Sequence, residues 1–84
     1  LLKYRFTYIV IGMNSHELTQ QLIKELGGQA ATARLVKVSQ PTVYGWYHGL
    51  HKPGLSAALR IQRITRGAYP ASIWHPELLD DPAA

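Results

Sequence analysis

The stretch QAATARLVKVSQPTVYGWYH, residues 29–48, constrains the fold more than any other part of the chain. It reads as two short helices joined by a tight turn. Ala30, Ala31, Ala33, Leu35 and Val36 supply the small and apolar positions of the first helix, and Lys37 and Val38 form the turn. Ser39 can accept a bond from the free amides that open the second helix. Pro41 is tolerated there because the first helical turn needs no donor. The second helix runs to about His48, and Gly49 ends it. Two helices joined in this way form the unit that lays its second helix in a DNA major groove. Such a unit needs a small residue where the helices cross, and Ala33 fits. It needs apolar residues to fix the angle, and Val36, Val38, Val43 and Trp46 have the spacing to bury. It also needs an outer face that can reach base edges, and Gln40, Pro41, Tyr44, Gly45 and His48 are left for that face.

The flanking sequence extends this unit into one helical domain. Asn14 or Ser15 can cap a preceding helix, with Glu17 three residues after Asn14 as a capping box requires. Leu18, Leu22, Ile23 and Leu26 form its apolar stripe, and Gly27 and Gly28 stop it. After a loop at 51–54, residues 55–65 read as a further helix. Leu55, Leu59 and Ile64 are its expected inward positions, with Ala58 and Ile61 beside them and Gly67 as its cap. Residues 70–74 and 76–79 each read as one helical turn opened by proline. Pro70 and Pro76 argue against a pair of strands here, since proline cannot donate to a ladder. Residues 1–12 differ in kind. Tyr4, Phe6, Tyr8 and Val10 would share one face of a β-strand, and the segment reads as an extension ahead of the domain, with Met13 at a natural start position. The domain is thus expected over 13–79, with a short tail at 80–84.

Charge and composition narrow the function. Nine Lys and Arg face five Asp and Glu, and three of the five acids, Glu77, Asp80 and Asp81, come after His75. A basic body of this kind suits a polyanionic partner. With 46% hydrophobic and 17% charged residues the composition is globular. The absence of cysteine excludes a disulfide framework and fits a reducing, cytoplasmic setting. No apolar run reaches the roughly 20 residues of a membrane span. The run at 7–12 behind Lys3 and Arg5 is too short for a signal peptide and lacks a cleavage site. His48 and His51 straddle Gly49, so they are not expected to share a helical face, and nothing completes a metal site around them. No nucleophile, base and acid arrangement suggests an enzyme. No cofactor, metal or small-molecule substrate is expected.

The run ARLVKVSQPTVYGW resembles the Cro and repressor proteins of temperate phages, especially the Cro-like group that includes the YdaS-type regulators. The run RIQRITRGAYPASIWHPEL resembles that group's last helix and tail, so the resemblance covers about 13–79. It implies an all-α, lambda-repressor-like fold of about five short helices, a homodimer, and a palindromic operator in double-stranded DNA. By position it implies a DNA-binding set. Gln29 opens the helix whose N-terminus points at a phosphate. Gln40 matches the main base-reading position, where its amide can bond bidentately to adenine. Ser39, Pro41 and Thr42 lie beside it, with Pro41 and Thr42 near thymine methyls. Tyr44, Gly45 and His48 lie further along the groove, and Arg34, Lys37, His51, Lys52 and Arg60 are candidate phosphate contacts. Two residues depart from the family pattern. Lys37 stands where glycine is usual in the turn, at a cost of about 1 kcal/mol if positive φ is required. Thr32 replaces a commonly apolar residue. The competing reading is a protein-interaction module, antitoxin-like, that uses the same helices. The polar outer face of the second helix and the basic balance favour DNA.

Overall fold

Helix boundaries follow the stop and start signals closely. The computed structural model describes residues 12–80, and among these the regular structure is entirely helical. α1 spans Ser15–Glu25, α2 Gln29–Val36, α3 Gln40–Tyr47 and α4 Leu55–Ile64. Two 3-10 turns, Ala71–Ile73 and Pro76–Asp80, follow. The strand expected in the first twelve residues lies, but for Gly12, outside the described residues.

The capping box at the start of α1 is formed. The Glu17 amide donates to Asn14 Oδ1 at 2.8 Å, and the Asn14 amide donates to Glu17 Oε1 at 3.1 Å. At the other end the Gly27 amide reaches the Lys24 carbonyl and the Gly28 amide reaches the Ile23 carbonyl. This paired closure needs a left-handed residue after the helix, and Gly27 provides it at φ 105°. α4 closes in the same way with a difference. Gly67 accompanies the turn, but the left-handed residue directly after the cap is Arg66, at φ 53°.

α3 lies at the centre, packed on α2 and α1, while α2 also packs on α4. Leu22, Ile23 and Leu26 of α1 meet Ala33 and Val36 of α2, Val43 and Trp46 of α3, and Ala57, Ala58 and Ile61 of α4 in one core. The tail completes that core with Tyr69, Ala71 and Trp74, all buried. Its polar groups are bonded as they enter. Trp74 Nε1 donates to Thr19 Oγ1 at 2.7 Å, and the Tyr69 hydroxyl donates to Glu25 Oε1 at 2.6 Å. Thr65 Oγ1 accepts from the Tyr69 amide, and Thr32 Oγ1 donates back to the Gly28 carbonyl, so the unusual buried threonine of α2 is satisfied within its own helix. Among the described residues no buried side-chain nitrogen or oxygen lacks a partner.

The phase of α4 corrects the sequence reading. Leu55 and Leu59, expected inward, are 46% and 40% exposed. Ile64 is half-buried, and the inward face is Ala57, Ala58 and Ile61. Two alanines let α4 approach its neighbours closely, an approach that two leucines at the same place would prevent.

Candidate nucleic-acid interface

The turn between α2 and α3 is built on a strained residue. Lys37 adopts φ 64° and ψ 47°, the left-handed conformation in which the family pattern favours glycine. This bends the chain so that the Val38 amide returns to the Ala33 carbonyl at 3.0 Å. Ser39 then caps α3, its Oγ accepting from the Thr42 amide at 3.2 Å and lying 2.7 Å from Thr42 Oγ1. Pro41 occupies the first turn as expected. Val43 and Trp46 are buried beneath α3, and Val38 packs at the edge of the core.

The far end of α3 is held by α1. His16 Nε2 and Gln20 Nε2 each donate to the Tyr47 carbonyl at 2.9 Å. The Leu50 amide reaches the Gly45 carbonyl, and Gly49 turns the chain away at φ 72°. α3 is therefore fixed at both ends, by its own cap at the start and by α1 at the finish. The anchoring by His16 and Gln20 is not visible in the sequence, because it joins residues about thirty positions apart with no shared motif.

This frame leaves Gln40, Pro41 and Tyr44 exposed on one side of α3. Together with the partly exposed Gln29 at the start of α2 they line an open cleft. Two helix N-termini, those of α2 and α3, thus meet one surface. Tyr44 is 51% exposed, and its ring lies against His48 with centroids 4.2 Å apart and the planes tilted by 47°. His48 in turn meets the edge of Tyr47. Ser39 and Thr42 engage each other, so they set the start of α3.

Three of the expected surface residues sit differently from the sequence reading. Gly45 is buried, not open on the outer face. A Cβ there would fall 2.1 Å from His51 Nε2, so the His51 ring covers this backbone and glycine is the residue that admits it. Lys52, expected on the phosphate side, donates from Nζ to the Trp74 carbonyl at 2.9 Å and fastens the loop to the tail. Arg60 donates to the Val36 carbonyl at 3.2 Å, binding α4 to the end of α2. Arg34 and Lys37 remain exposed. Between Gln29 and His75 the chain contains no acid, so the helix-turn-helix carries a single sign of charge. Among the described residues no group of three metal-ligating side chains comes together, and no helix is long and apolar enough to cross a membrane.

A second helix buried on one face, held at both ends and polar on its outer face, in a domain whose described regular structure is all helical, defines the class of helix-turn-helix DNA-binding domains. Residues 18–75 match the family model of the DNA-binding transcriptional regulator Cro, and the chain belongs to that family. The family is one of transcription regulators, not of enzymes. No curated protein and no solved structure matches the chain.

Proposed function

We propose that this Cro-family regulator is a repressor that binds a palindromic operator as a two-fold homodimer, with α3 in the major groove. The observation that carries the reading is the cleft of Gln29, Gln40, Pro41 and Tyr44, at which two helix N-termini converge on an acid-free surface. Gln40 is the base reader, its amide matching the donor and acceptor of adenine. Pro41 and Thr42 touch thymine methyls, and Tyr44 and His48 follow the groove as a contacting pair of rings. The amides at the start of α2, beside Gln29, hold a phosphate, because a helix N-terminus attracts anions. Arg34 and Lys37 add phosphate contacts. Ser39 orients α3, and Gly45 contributes indirectly by seating His51. Lys52 donates one of its three ammonium hydrogens to the Trp74 carbonyl and offers the others to a phosphate. A phage or prophage origin and a cytoplasmic place beside the nucleoid accord with this role.

Selection from random duplex DNA tests it. The expected product is a two-fold symmetric site with half-sites about 10 base pairs apart. Affinity for that site should fall with salt along a log-log slope of roughly −4 to −5 per monomer, as about 4 to 6 phosphates are neutralised by each. A slope near zero would remove the DNA reading, and an asymmetric single site would remove the two-fold one.

A further inference from the structure

Where α3 ends, three segments distant in sequence enclose a cavity of about 300 Å³. α1 brings Ser15 and His16 from its first turn. The end of α3 and the loop after it bring Trp46, His51 and Lys52, and the tail brings Trp74. Trp46 and Trp74 are the chain's two tryptophans, both buried in the core, and they give the cavity an apolar floor. Ser15, His16, His51 and Lys52 are exposed and form its rim.

The rim keeps donors to spare. Lys52 gives one of its three ammonium hydrogens to the Trp74 carbonyl. The His51 ring lies over the Gly45 backbone, and neither that ring nor the Ser15 hydroxyl has a hydrogen-bond partner among the described residues. His16 is committed through Nε2 to the Tyr47 carbonyl and serves as a wall. No carboxylate lines the cavity, and Glu77 of the tail is paired with His75 at 3.4 Å. An apolar floor with a few convergent polar groups is the make-up of a small-molecule site, and this volume lies at the small end of the range for such sites.

We infer that this cavity binds a small organic anion, a carboxylate carried on a ring-sized apolar body. The carboxylate takes hydrogen bonds from Lys52, His51 and Ser15, and bonds between charged partners are the strong ones. The apolar body covers the tryptophan floor, which a bare inorganic ion would leave in water. A neutral ring would cover the floor but leave Lys52 without a counter-charge. The occupant also touches His16, which holds the far end of α3. Lys52 is shared with the phosphate contact of the proposed function, so occupant and DNA compete for it. The binding itself does not rest on that reading.

Titration of the full chain with benzoate, without DNA, tests it. The readout is the pair of indole N–H signals of Trp46 and Trp74 in two-dimensional NMR, with circular dichroism to show that each variant folds. Both signals should shift and saturate, with Kd on the order of 1 mM for a ligand of this size. Lys52→Met should weaken binding about tenfold. His51→Leu keeps a side chain over Gly45 and leaves the Lys52 bond to Trp74 in place, so it stays folded, and it should weaken binding as well. Arg63→Met removes the same charge away from the cavity and should leave Kd unchanged. Inorganic phosphate and benzyl alcohol should each bind at least about tenfold more weakly than benzoate. Shifts that never saturate would overturn the site, as would unchanged affinity in either cavity variant that folds. Equal losses in Arg63→Met and Lys52→Met would reduce it to diffuse charge. Phosphate as tight as benzoate would make it a site for any anion, and benzyl alcohol as tight would make it a plain apolar cleft; either result overturns the inference.

Discussion

α3 and α4 are helices of similar length that bury one face each, and they differ in what they leave outside. α3 buries Val43 and Trp46 and exposes glutamine, proline and tyrosine. α4 buries alanines and Ile61 and exposes leucines and arginines. The larger side chains are inside in one helix and outside in the other. Burying large groups under α3 fixes its angle, as the proposed reading role requires, since a shift of the backbone moves every contact made from it. Burying small groups under α4 brings it close to the core and leaves its large apolar groups partly in water. Apolar side chains alone therefore do not tell which side of a helix faces inward.

The contrast can be broken most severely at Trp46. Trp46→Ala removes the largest side chain beneath α3 and should cost about 3 to 5 kcal/mol, enough to unfold a domain of this size. Thermal melting of the variant decides this, and near-normal stability would contradict the buried position. The turn before α3 offers a change of opposite sign. Lys37→Gly should stabilise by about 1 kcal/mol, because glycine adopts positive φ without the steric cost that lysine bears there. The denaturation midpoint should rise, and a fall would mean that the lysine stem contributes more packing than its backbone costs. The smallest effect belongs to α4. Leu59→Ala should change the stability of the monomer by under about 1 kcal/mol, since much of the side chain is already in water. Measured at a concentration where the chain is monomeric, a loss of about 3 kcal/mol would restore Leu59 to the core.

Legibility in the sequence follows the range of the interaction. The capping box of α1, the glycines after it, Ser39 and Pro41 act within a few residues, and the local sequence displays them. The two-helix unit, its buried valines and Trp46 follow from helical spacing. The phase of α4 does not. Residues 55–64 contain two stripes at helical spacing, one of leucines and one with alanines and Ile61, and the closer approach allowed by alanine decides between them. Hydrophobicity alone favours the wrong stripe. Gly45 was legible as a small residue on α3, but the His51 ring that covers it arrives from the following loop. The Lys52 bond to Trp74 and the bonds of His16 and Gln20 to Tyr47 join distant segments. They depend on the finished fold, as does the closure of the core by Tyr69 and Trp74, whose short turns carry little periodic signal.

The central claim is that α3 reads bases through Gln40, and competition binding on single-base variants of the selected operator tests it most directly. Gln40→Ala should weaken operator binding by about 1 to 3 kcal/mol per half-site and relax preference at one base pair in each. Non-specific affinity should hardly change, because phosphate contacts carry it. Arg34→Ala serves as the contrast and should weaken all sequences about equally. If Gln40→Ala instead weakened every sequence alike, Gln40 would hold the backbone or the helix start, and the assignment of base reading to it would be wrong.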